Sequence, residues 1–227
     1  MSGIIGSRFN TRGSGLVGSL GTDGQIFTSS GAGKSAVFEA AAGGGAWTKI
    51  KTLTASGDSD ISFVDGTDDV VLDSTYPIYV FKIINLHPSG NDMKVGFQGN
   101  AAGGSGYNET ITSTVFLAYH NEAGDSTTLT YSTTRDEAQS TDFQDIIDDL
   151  GNDNDQSASG ELWLYNPSST TFVTHWISTV QIYNSSDYSV IFRTAGYFNT
   201  TSAIDEIQFK PASGTIDAGT FSLYGIT

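Results

Sequence analysis

The chain has 227 residues, 37% of them hydrophobic and 11% aromatic, with a formal net charge of −15. That is enough apolar material for one domain of ordinary size plus an appendage. The acidic balance repels a nucleic-acid backbone or an anionic membrane surface, and the absence of cysteine removes any disulfide framework or thiol nucleophile.

Charged residues make up only 15% of the chain, which is rich in Thr, Ser, Gly and aromatic side chains. This mixture suits pleated strands and tight turns, so an all-β fold is expected. The residues after Met1 lack the continuous apolar region of a signal peptide, and no run approaches the roughly 18 apolar residues of a membrane span. A protein without membrane insertion is expected, either made in a reducing compartment or owing its durability to another source, of which oligomerisation is one.

Residues 1–45 hold 12 of the 27 glycines and three basic against two acidic side chains, and the composition shifts at Gly43-Gly44-Gly45. The segment is expected to be an extended anchoring arm fixed by a partner chain, separate from a domain over 46–227. Its short apolar anchors, Ile4, Ile5, Phe9, Leu16 and Val17, alternate with glycines. Two short strands, 25–28 and 36–39, joined by a Gly-rich turn, add Phe27 and Phe38 to the docking set. Gly31-Ala32-Gly33-Lys34-Ser35 ends like a phosphate-binding loop, but Thr28 stands where the motif needs its first glycine. No long helical pattern follows to hold a phosphate.

The stretch 21–39, GTDGQIFTSSGAGKSAVFE, resembles a recurring element of tail-fibre and related virion proteins of tailed bacteriophages, found near the amino end or between modules. The resemblance implies a virion role without saying which.

From Trp47 onward, short apolar runs alternate with turn signals over 47–54, 60–64, 69–72, 78–86 and 93–97, the spacing of a sandwich or barrel. The run 78–86 is apolar on both faces, with Ile78, Val80, Ile84 and Leu86 on one side and Tyr79, Phe81 and Ile83 on the other. It therefore needs two covers, an opposing sheet and either the arm or a neighbouring subunit. The Gly-rich loop 101–107 ends in Tyr107, whose ring is a candidate for stacking on a sugar. Further strands are expected over 111–119 and 127–133.

Phe143, Ile146, Ile147 and Leu150 recur at i, i+3, i+4 and i+7, with a capping Ser140 or Thr141 before them and Gly151 after. The spacing predicts one short helix over 141–151. Residues 136–155 carry eight acidic side chains and no basic one. Asp149, Asp153 and Asp155 are therefore candidate Ca²⁺ ligands, although no EF-hand pattern is present.

The final third returns to strands over 162–165, 172–183 and 188–194. It closes with Ile207 and Phe209, then Phe221 and Leu223, on alternating positions that read as a hairpin. Here ELWLYNPSS and AGYFNTTSAIDEIQFKPASGTIDAGTFSLYGI are similar to the ending of jelly-roll virion domains of tailed phages, and TYPIYVFKIINLHPSGNDMKVGF to an earlier strand pair of such domains. The resemblance covers most of 76–99 and 158–227. It implies a two-sheet jelly-roll that assembles as a homotrimer in fibres, spikes or capsid decorations, without catalysis. The acidic insert 135–156 is longer than that family leads one to expect.

His87, His120 and His175 lack metal or triad spacing, no G-x-S-x-G elbow occurs, and no repeat of 20–50 residues suggests a β-helical glycosidase. A non-enzyme is expected: a phage structural protein whose arm docks on other virion proteins and whose exposed domain is free to meet a host surface glycan. The alternative is a free-standing carbohydrate-binding module stacking sugars on Trp47, Trp163 or Trp176. The sequons at Asn108, Asn184 and Asn199 fit a secreted glycoprotein.

Overall fold

A computed structural model describes residues 25–28, 37–40 and 46–227. The chain divides into two units, Met1–Ala46 and Trp47–Thr227. In the first, β1 (Gln25–Thr28) and β2 (Val37–Ala40) pair antiparallel, with Phe27 opposite Phe38. The anchors Ile4, Ile5, Phe9, Leu16 and Val17 lie outside the described residues.

The second unit is an all-β sandwich of two antiparallel sheets. Its strands begin with β3 (Trp47–Ala55), β4 (Ile61–Val64), β5 (Ile78–Pro88) and β6 (Met93–Ala101). An insertion follows, β7 (Ile111–Asn121), β8 (Thr127–Tyr131) and β9 (Ala138–Ser140), and then β10 (Gln144–Leu150) and β11 (Ala158–Tyr165). A second insertion, β12 (His175–Tyr183) and β13 (Tyr188–Phe198), precedes β14 (Ile204–Pro211) and β15 (Ile216–Ile226). Removing the insertions leaves the order β3-β15-β5-β11 facing β4-β14-β6-β10. The chain crosses repeatedly between the sheets and its last strand pairs with its first, which is a jelly-roll. The insertions extend only the first sheet, as β12-β13-β7-β8 with β9 on β7, so a broad sheet faces a narrow one.

Alternation puts one apolar row of each sheet inside. Phe63 (β4), Phe97 (β6) and Phe209 (β14) from the narrow sheet meet Phe81 (β5) and Phe221 (β15) from the broad one, all 0% exposed. Phe209 lies 5.5 Å from Phe81 and 5.2 Å from Phe221, centroid to centroid, and Trp176 meets Phe97 edge-on at 4.9 Å. These offset and edge-on ring pairs knit the sheets beyond simple burial. Trp176 is thus a core side chain and offers no stacking surface for sugar.

The closing strands differ from the hairpin expected of them. β14 pairs with β4 and β6, β15 with β3 and β5, and the two lie in opposite sheets. Alternation reports which residues face inward but not which strand is the hydrogen-bonding neighbour, and Phe209 and Phe221 meet across the core.

The expected helix over 141–151 is strand β10, and no helix occurs among the described residues. Its register against β6 shifts between Asp145 and Ile147 and again between Ile147 and Leu150. The first irregularity turns both Ile146 and Ile147 inward, and the second brings Leu150 in after Asp149, whose φ is 52°. Bulges thereby imitate the i, i+3, i+4 spacing of a helix. Residues 69–72 are likewise not a strand, although Val70 and Leu72 are buried.

Close strand packing makes Gly196 a sensitive position. A Cβ there would lie 2.6 Å from the Thr112 carbonyl oxygen on β7 and 2.6 Å from the Trp176 ring. Gly196→Ala is expected to cost about 1–3 kcal/mol, read as a lower midpoint in urea unfolding; an unchanged midpoint would contradict this packing.

Candidate functional site: the outer face of the broad sheet and its pockets

Outward-pointing positions on the broad sheet follow from register. Tyr224 pairs with Val80, Val80 with Trp163, Trp163 with Ile177 and Ile177 with Ala195, so these side chains share the outer face. One step along, Ser222, Lys82, Glu161, Thr179, Arg193, Phe116 and Tyr131 form a second row. Among the described residues, eight large hydrophobic side chains are exposed, and all but Phe172 stand on this face: Trp47, Ile84, Phe116, Leu129, Tyr131, Ile177 and Ile191. Seven such residues on one side, interleaved with Lys82, Glu161, Thr179 and Arg193, make this the most apolar exposed face among the described residues, the kind of surface that marks an interaction site.

Its electrostatics run against the rest of the molecule. The chain has 25 acidic residues, yet the strands of the broad sheet carry only Glu161 and Asp217, against Lys49, Lys51, Lys82 and Arg193. Acidity is concentrated in the loops and around β10. Glu161 is itself paired with Lys82, which also sits 5.3 Å over the Trp47 ring, and Arg193 lies 5.8 Å from the Phe116 ring centroid. Lys82 and Arg193 are thus laid on aromatic faces, and Glu161, the one carboxylate of these rows, is paired.

Trp47 is 41% exposed and meets Trp163 at 5.5 Å with an interplanar angle of 87°, and Tyr224 at 5.8 Å and 66°. Val80, between Trp163 and Tyr224 in register, is fully buried although it points away from the core. The second cover expected for 78–86 is thus supplied in part by these aromatics. Ile78 and Ile84 share the outer face with Val80, but Leu86 turns inward, because Asn85 at φ 51° interrupts the alternation.

The remaining candidates are dispersed. Tyr107 is half-buried, its hydroxyl beside Ser62 and Glu206, and burial pushes it up to about 12. Asp149 lines a cavity of about 240 Å³ with Leu117, Tyr119 and Tyr188, whereas Asp155 lines another of about 460 Å³. Asp153 turns its backbone carbonyl to His87 Nε2 at 3.3 Å. Among the described residues no three His, Asp or Glu side chains converge as a metal site requires. Asp149, Asp153 and Asp155 therefore do not assemble the expected Ca²⁺ site.

The acidic stretch has a cation from its own start. Arg135 Nε donates to Asp148 Oδ2 at 2.7 Å and lies 3.8 Å from Asp145 Oδ2, and all three side chains are largely buried. Burial pushes Asp145 up to about 6, opposed by Arg135. Gln98 ties the insertion down, its Nε2 donating to the carbonyls of Glu109, Thr141 and Asp142 at 2.9–3.2 Å. The charge and hydrogen bonds of the insertion are spent on holding its own shape.

Sequence reasoning missed the outer face as a unit. Each strand shows its outward apolar residues, but their convergence depends on the strand order, and the two insertions had to be placed beside β11 first. Compared with known proteins, the chain matches no family model, no curated relative and no solved structure.

Proposed function

We propose that this chain is a non-catalytic structural protein that assembles with copies of itself through the outer face of the broad sheet, in the manner of a tailed-phage fibre, spike or capsid decoration. The carrying observation is that face: it bears seven of the eight exposed large hydrophobic side chains among the described residues and its strands carry almost no carboxylate, in a chain of net charge −15. Two strongly acidic copies repel at long range, so their contact is best made where the acid is absent. Eight strands at about 4.8 Å spacing, each presenting about four outward residues, give roughly 800 Å² per copy, which a closed ring divides between two neighbours. A homotrimer satisfies the need for closed symmetry, and the phage-like motifs at 21–39 and 196–226 support a virion setting with residues 1–45 docking on other virion proteins.

The carbohydrate-binding module is favoured by one observation, the exposed Trp47. Its ring stands edge-on to Trp163 instead of coplanar with it, which is poor geometry for a flat stacking platform and good geometry for an interface.

Phe116→Lys and Ile191→Lys test the assembly. Both residues are exposed on the face, 43% and 42%, so the fold is expected to survive. Native mass spectrometry and sedimentation are expected to show a trimer for the unaltered chain and monomers for the double variant. A monomeric unaltered chain, or a double variant that stays assembled, contradicts the proposal.

A further inference from the structure

The 460 Å³ cavity lies at the margin of the broad sheet's outer face, where β7 and β12 end and β13 begins, and its volume falls within the roughly 300–1,000 Å³ range of small-molecule sites. Its lining contains no aliphatic side chain: it is made by His120, Asn121, Glu122, Asp155, Ser157, Gln181, Tyr183 and Ser189. No lysine or arginine lines it, and two of its groups are carboxylates.

Part of the lining is already oriented. The Tyr183 hydroxyl donates to Glu122 Oε1 at 3.0 Å, fixing the half-buried ring along one wall. Gln181 Nε2 donates to the Ile182 carbonyl at 3.0 Å and reaches Ser189 Oγ, another lining residue, at 3.5 Å, which ties its amide at the cavity. Asp155 and Gln181 are both exposed at the cavity. The site thus offers carboxylate and amide acceptors, hydroxyls that accept or donate, an imidazole and one aromatic wall.

We infer that this cavity binds a saccharide without acidic groups, its hydroxyls donating to Asp155, Glu122 and Gln181 and its ring lying against Tyr183. The chemistry selects the class from two sides. An anion such as a uronic or sialic acid would meet two carboxylates and no cation, a like-charge contact that costs affinity. An apolar ligand would strip water from polar walls and return no hydrogen bond. A polyhydroxyl ring replaces the water bond for bond and covers the phenol. That the sugar belongs to a host surface rests on the virion reading above; the binding itself does not.

Saturation-transfer NMR on the full chain tests it, with the methyl glycosides of glucose, galactose and N-acetylglucosamine as neutral probes and that of glucuronic acid as the charged one. At least one neutral probe is expected to bind, glucuronate more weakly than it. Asp155→Ala and Gln181→Ala are each expected to weaken the neutral probe roughly fivefold or more, with unfolding midpoints unchanged. No signal from any neutral probe, glucuronate binding equally well, or unaltered affinity in both variants each overturns the inference. The cavity borders the face proposed for assembly, so the monomeric Phe116→Lys, Ile191→Lys double variant separates the two proposals. An unaltered chain that is monomeric yet holds a neutral sugar sinks assembly alone, and neutral probes silent in both the unaltered chain and the monomeric double variant sink the saccharide site alone.

Discussion

Phe209→Ala is expected to lower stability by about 3–5 kcal/mol, a fall in Tm of roughly 6–20 °C for a domain of this size. Phe209 is fully buried and its ring meets those of Phe63, Phe81, Phe97 and Phe221, so it touches both sheets at once. The interior is too rigid to close over the vacated volume, and the lost contacts come on top of the lost transfer free energy. Calorimetry checks this, with Phe209→Leu as the milder control. A loss under about 1 kcal/mol in the alanine variant would show that the five rings are not the centre of the core.

Substitutions at the Arg135 cluster should change stability in opposite directions. Arg135→Met leaves Asp145 and Asp148 without their cation and is expected to cost about 3–5 kcal/mol at pH 7.5. Asp145→Asn should stabilise. In the fold Asp145 titrates near 6 instead of its ordinary 3.8, chiefly through burial. Folding therefore disfavours its ionised form, and the penalty is absent below the unfolded value, grows as pH rises through the folded one, and is full above it. Asparagine removes that penalty, about 1–3 kcal/mol at pH 7.5, and the advantage should shrink steadily towards pH 4. Urea unfolding of the three chains across pH 4–8 checks both signs. An Asp145→Asn chain less stable than its parent at pH 7.5, or a gap indifferent to pH, would refute the account.

Much of this architecture can be read in the sequence because strand alternation is a local property. The all-β class, the two-sheet sandwich, the short strand pair expected at 25–28 and 36–39 and found at 25–28 and 37–40, and the inward set Ile207, Phe209, Phe221 and Leu223 follow from period-two patterning and turn residues. What failed was non-local or irregular. Bulges in β10 gave Ile146, Ile147 and Leu150 a helical spacing, and a left-handed Asn85 moved Leu86 to the other face. The adjacency of the last two strands in sequence suggested a hairpin that the jelly-roll path forbids. The site was less legible still. Trp47 stands out in the chain, but Phe116, Leu129 and Ile191 gain meaning only when β7, β8 and β13 are placed beside β12, and Asp155 joins Gln181 across a turn in space.

The position of β15 bears on how the molecule is made. Residues 216–226 lie between β3 and β5 in the broad sheet, and β3 has β15 as its one neighbour there. On a ribosome, the strand at 47–55 is the first of the second unit to emerge and must wait for a partner about 170 positions downstream. Loop closure over such a distance is slow, and until it happens β3 and the flank of β5 offer bare hydrogen-bonding edges to any passing strand. In a crowded cell, the interval between synthesis of β3 and arrival of β15 is when the wrong copy can be captured.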